Sequence, residues 1–145
     1  MRDFNLKDFD ATEKMQIIDR SHREANDIKK NPKQRRGRTD QRILEDCMMG
    51  QAAEVFMISK YNYRDDPRRF KDTFNTRGKS VDQKVIGYDD PQWTLDNCKN
   101  IIENESWREF PHIVQIWYNK RNTDEYIWKG EYHYERISKS FTRVC

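Results

Sequence analysis

The chain has 145 residues, the size of one ordinary domain that can bury a real core without staples. Charged residues make up 37% and hydrophobic ones 34%, a balance close to the disordered class, but 4 Trp, 7 Tyr and 7 Phe exclude that class. The net charge of +3 does not by itself mark a nucleic-acid binder, and no apolar run approaches the roughly 18–20 residues that span a bilayer.

A first helix is predicted up to about Lys30, with Asp10 as its cap and Met15, Ile17, Ile18 and Ala25 as its apolar stripe, stopped by Pro32. The run at 29–38 follows, in which Lys29, Lys30, Lys33, Arg35, Arg36 and Arg38 are basic and no residue is acidic. It reads either as a solvated linker or as an arm lying along phosphates. Pro32 and Gly37 divide the chain there, giving an N-terminal helix and basic arm over 1–36 and a core domain over 37–145.

From Asp40 the spacing of Ile43, Leu44, Cys47, Met48, Val55 and Phe56 predicts a helix to near Lys60, with Met48 and Met49 as core filler. The period then shortens. Tyr61–Tyr63 is a short strand candidate, and residues 69–75 and 80–86 alternate as two strands around the Gly-containing loop 75–79. Asp90-Pro91 opens a helix that runs to about Glu105. Residues 112–118 and 125–134 are two further strands, joined by a loop.

The hairpin carries the chemistry. Folding at 76–78 sets Asp72 beside Asp82, and period-2 alternation puts Lys84 on the face of Asp82. Two opposed carboxylates repel unless a cation neutralises them, and a hard divalent ion such as Mg²⁺ takes oxygen ligands. A lysine two residues along can orient an attacking water and stabilise developing negative charge, which suits phosphodiester hydrolysis.

Glu54 on a helix, Asp72 on a strand and then Asp82-x-Lys84 resemble the PD-(D/E)XK nuclease superfamily, whose common αβββαβ core has the predicted order from Thr39 to about Tyr118. The familiar Pro-Asp is Lys71-Asp72 here, and Asp65 and Asp66 stand near enough to replace Asp72 as ligand. The resemblance implies an α/β fold (α+β in detail), with a central mixed sheet flanked by helices. It makes Asp72 and Asp82 ligands of Mg²⁺ or Mn²⁺, with the Gln83 carbonyl completing the shell, and makes Lys84 the residue that positions water. Glu54 would hold the metal through a water or help orient Lys84. Glu54 shares the sheet-facing side of its helix with Ile43 and Cys47.

Beyond these, Arg64, Arg68, Arg69 and Lys71 flank the site as phosphate contacts, or else balance Asp65 and Asp66. Tyr61 and Tyr63 read as stacking or packing residues, and Gln115 as a substrate or cross-strand contact. Trp93, Trp107, Trp117 and Trp128 read as core and sheet-face residues. His22, His112 and His133 share no ligand spacing. Cys47, Cys98 and Cys145, scattered and without a signal-type leader, read as reduced thiols of a cytoplasm, bacterial or of a phage-infected host. The expected activity is a metal-dependent DNA endonuclease of phage or bacterial type. RNA remains open as substrate, and a homodimer is compatible. The alternative is a non-catalytic nucleic-acid- or protein-binding protein, a small phage regulator or inhibitor, that keeps a nuclease-like core.

Overall fold

The computed structural model describes residues 2–66, 69–87, 91–104, 113–121 and 123–145; within these, side chains of residues 66, 69–72 and 101–104 lie outside the description. The architecture is α/β. Among the described residues, seven strands form one mixed sheet: β1 (Phe4–Asn5), β2 (Arg64–Asp66), β3 (Arg69–Phe74), β4 (Ser80–Ile86), β5 (Ile113–Tyr118), β6 (Glu125–Glu135) and β7 (Ser140–Arg143). Their order is β1-β6-β5-β4-β3-β2, with β7 also paired to β6. Only β4 and β5 run parallel, because α4 (Pro91–Asn104) carries the chain back between them; the other pairs are antiparallel. The remaining helices are α1 (Ala11–Lys29), α2 (Pro32–Arg35) and α3 (Asp40–Tyr61).

The local chemistry explains the boundaries. Asp10 and Glu13 close a reciprocal capping box at the start of α1. Asn62, left-handed at φ 59°, ends α3 with its N–H on the Met57 carbonyl, so the strand that follows, β2, begins at Arg64 rather than Tyr61. Asn75 accepts hydrogen bonds from the Arg77 and Lys79 N–H groups, each at 3.0 Å, and Gly78 takes φ 75°, which closes the β3–β4 hairpin. Asp90, Trp107 and His112 lie outside the described residues.

The N-terminal segment packs into the same core as the rest. Phe4 stacks on Phe56 at 4.2 Å and on Tyr126 at 4.5 Å, with Trp117 edge-on at 5.1 Å. On α1, Ile17, Ser21 and Ala25 are buried with Arg20, whereas Met15 and Ile18 are exposed. The buried stripe therefore keeps Ile17 and Ala25 of the expected one but leaves out Met15 and Ile18, and an arginine lies on it. A second apolar cluster, Ile86, Leu95, Cys98, Val114 and Ile116, lies between α4 and the sheet. No helix among the described residues is long and apolar enough to cross a membrane.

Candidate functional site

Strand β4 alternates. Val81 and Val85 pack toward the cluster that includes Phe56 and Met57, while Ile86 packs toward α4. Asp82 and Lys84 share a face, and Lys84 Nζ is 3.0 Å from Asp82 Oδ2. Their parallel neighbours on β5 are Val114 and Ile116, both fully buried, so the ion pair rests on apolar surface on one side while Lys84 stays 37% exposed on the other. Asp82 accordingly drives the Lys84 ammonium well above the ordinary lysine range. Burial pushes the Cys98 thiol up to about 11 despite nearby Lys84, so Cys98 is an inert neighbour, not a nucleophile.

The next residues along the hairpin complete the arrangement. Strands β3 and β4 pair at Thr73–Val81 and Phe74–Ser80, which makes Asp72 and Asp82 the adjoining residues on each strand. Against β2, the register of β3 jumps from Thr73 to Arg69, so Asp72 stands in a bulged stretch. Such bulges are frequent where a strand re-aims a side chain beside a functional site.

Glu54 faces inward, 4% exposed, and its Oε2 accepts from Arg20 Nη2 at 2.8 Å. The same guanidinium donates from Nε to Gln51 at 2.6 Å and from Nη1 to Asp65. Arg20 thereby ties α1, α3 and β2 together through three acceptors. Burial pushes the Glu54 carboxyl well above the ordinary range; Arg20 opposes this, while Glu24 and Asp82 add to it. Asp65, committed to Arg20, is a poor alternative to Asp72 as a ligand. Lys84 is oriented by Asp82, not by Glu54.

These groups meet in a cleft of about 500 Å³ between α1, α3 and the end of β4. Glu24, Gly50, Gln51, Glu54, Asp82 and Lys84 line its inner part. A Cβ added at Gly50 would meet nothing within 4 Å, so the helix leaves this wall open. Met49 lines the cleft and Met48 is exposed, which places neither in the core. Among the described residues, no set of three or more His, Cys, Asp or Glu side chains is arranged to hold a metal ion; Asp72's side chain is outside that description.

The mouth is basic. Asp46 accepts from Arg38 at 2.8 Å and from Arg121 at 2.5 Å, with Arg42 3.3 Å away. Partial burial disfavours its charge, but the hydrogen bonds from Arg121 and Arg38 hold its carboxyl below the usual range. Arg36, left-handed at φ 52°, lines the same mouth. The basic run is thus a capped turn rather than an extended arm. Asn31 caps α2, Arg35 pairs with Asp40 at 2.5 Å, and Arg38 also holds the Gln34 carbonyl at 2.7 Å. Lys33 is exposed on α2 and does not line the cleft. Arg68 and the side chains of Arg69 and Lys71 lie outside the described residues.

Three expected contacts turn inward on the other face. Gln83 Nε2 donates to Gln115 at 2.5 Å, and Trp117 Nε1 donates to Gln83 at 2.6 Å. Gln115 in turn donates to Tyr63 and Glu131, each at 2.7 Å. This ladder explains Gln115 and Tyr63 as buried structure, and leaves only the main chain of Gln83 for any role at the site. His133 hydrogen-bonds Glu131 at 3.0 Å. Trp93 departs from the core expectation: it is 58% exposed and lines the cleft. Arg20, Gln51 and Arg121 are site residues that composition and local spacing did not single out. No local signal marks them: the burial of Arg20 follows from acceptors on α3 and β2.

Family models, curated proteins and solved structures yield no match to this chain.

Proposed function

We propose that this chain is a metal-dependent nuclease that hydrolyses phosphodiester bonds, with DNA as its substrate and the cytoplasm of a bacterium or phage-infected cell as its setting. The observation that carries this reading is the Asp82–Lys84 pair on one face of β4, opening into a cleft that also holds the Glu54 carboxylate. The donor chemistry suits Mg²⁺ or Mn²⁺: Asp82 supplies carboxylate oxygen, Asp72 adjoins it across the hairpin, and the Gln83 carbonyl follows in the chain. Such an ion supplies Lewis acidity and lowers the pKa of water. Lys84, a fixed cation beside Asp82, orients a nucleophilic water and stabilises negative charge developing on the phosphate. Arg20 holds Glu54 facing the cleft. The basic mouth gathers the polyanion.

A second reading, a non-catalytic nucleic-acid-binding protein with a nuclease-like core, is favoured by one feature. Both carboxylates are already neutralised inside the protein, Asp82 by Lys84 and Glu54 by Arg20. Melting separates the two. At a hundredfold excess of Mn²⁺ or Ca²⁺ over Kd, the ion should stabilise the fold by about 2.7 kcal/mol, raising Tm by roughly 5–10 °C relative to EDTA. Asp82→Asn should lose that response. A wild-type Tm indifferent to both ions would favour the binding protein.

A further inference from the structure

We infer that the mouth of the cleft is a seat for a nucleic-acid strand with unpaired bases, Trp93 stacking a base while Arg36, Arg42 and Arg121 hold its phosphates. The inference rests on the nuclease reading and names its substrate class. Trp93 occupies the first turn of α4, is 58% exposed, and is the one aromatic among the described residues that line the cleft. An indole in that position offers a sequence-tolerant face on which a base can stack.

Four arginines line the same cleft. Arg38, Arg42 and Arg121 converge on Asp46, with Glu45 as a further carboxylate 3.9 Å from Arg121, and Arg36 adds its charge to the same wall. Arg42 and Arg121 remain 49% and 34% exposed, so donors of both are available to phosphate oxygens. The guanidiniums are held by Asp46, which limits the side-chain entropy lost on binding.

Stacking selects the single strand. The cleft, about 500 Å³, falls within the roughly 300–1,000 Å³ range of small-ligand sites, so it has room for a nucleotide. A base inside a duplex has both faces stacked already, whereas an unpaired one has a face free for Trp93. Asp82 and Lys84 line the same cleft, so a strand seated at its mouth delivers a phosphate toward them.

The test is equilibrium binding in EDTA, read by fluorescence anisotropy, with a labelled short single-stranded DNA and a blunt hairpin of the same sequence. The single strand should bind more tightly. Trp93→Ala should weaken it by roughly 5- to 100-fold with little change for the hairpin, and Trp93→Phe should retain most of the affinity. Replacing Arg42 and Arg121 by Gln should flatten the salt dependence on the single strand by about 1.4 log units per log unit of salt. Single-strand affinity unchanged in Trp93→Ala, or lost equally on the hairpin, would overturn the seat. Parallel incubations with Mn²⁺ keep the two ideas apart. Cleavage with no Trp93 dependence of binding leaves the nuclease and removes the seat. Trp93-dependent single-strand binding without cleavage keeps the seat and removes the nuclease.

Discussion

Asp82→Ala should abolish cleavage and Lys84→Ala should slow it severely, by different routes. Removing Asp82 deletes the carboxylate that binds the ion, so turnover and the Mn²⁺ effect on melting disappear together. Removing Lys84 deletes a preorganised positive charge at the reacting phosphate, a loss on the order of 10²–10³-fold in kcat. The metal response of melting should survive in that variant. Neither change should unfold the protein. Lys84 is 37% exposed and can turn its ammonium to water when Asp82 is gone, so the lost pair costs less than about 1 kcal/mol. Steady-state rates beside circular dichroism check both points. Cleavage at the wild-type rate by either variant would remove these residues from the chemistry.

Arg20→Met should be the most destabilising single substitution at the site. Arg20 is 8% exposed, and its loss leaves Glu54, at 4%, and Gln51, at 1%, buried without their donor. Stranding one member of a buried ion pair costs about 3–5 kcal/mol, a large part of the roughly 5–15 kcal/mol that holds a domain together. Glu54→Leu in the Arg20→Met background should recover much of it, because a stranded charge is then replaced by apolar contact. The pH dependence has a definite sign. Burial raises Glu54 in the folded state, and removing Arg20 raises it further. A raised group contributes stability that is present below its unfolded pKa, about 4.3, and lost as pH rises through the folded value. The deficit of Arg20→Met should therefore shrink on acidification and be largest at neutral pH. Urea unfolding across pH 4.5–8 measures it; a deficit independent of pH would show that Glu54 is not the stranded group.

The periodicity of the chain carried the core elements well. The helix over 40–61, the hairpin over 69–86, the helix from Pro91 and the strands at 113–118 and 125–135 all follow from local pattern and their turn and cap residues. Phe4–Asn5 and Ser140–Arg143 were not legible, since two- and four-residue edge strands have too few positions to show alternation. On α1 the pattern misled: Met15 and Ile18 are apolar yet exposed, while Arg20 is buried because three acceptors from distant segments meet it. Long-range polar contacts of that kind leave no trace in spacing. The Asp82–Lys84 juxtaposition was legible because it is local, two residues on one strand face. The arginines around Asp46 come from 38, 42 and 121, and only the fold brings the last to the others. Trp93 had an ordinary helical position in sequence; its exposure depends on the first turn of α4 standing at the cleft.

The most direct measurement is incubation of the purified chain with supercoiled plasmid, single-stranded DNA and RNA, each in Mg²⁺, Mn²⁺ or EDTA, with Asp82→Ala run in parallel. The account predicts fragments from DNA in either metal, most readily from the single strand, and none in EDTA or with Asp82→Ala. Intact substrates in every metal, or cleavage that persists in EDTA and in Asp82→Ala, would contradict it.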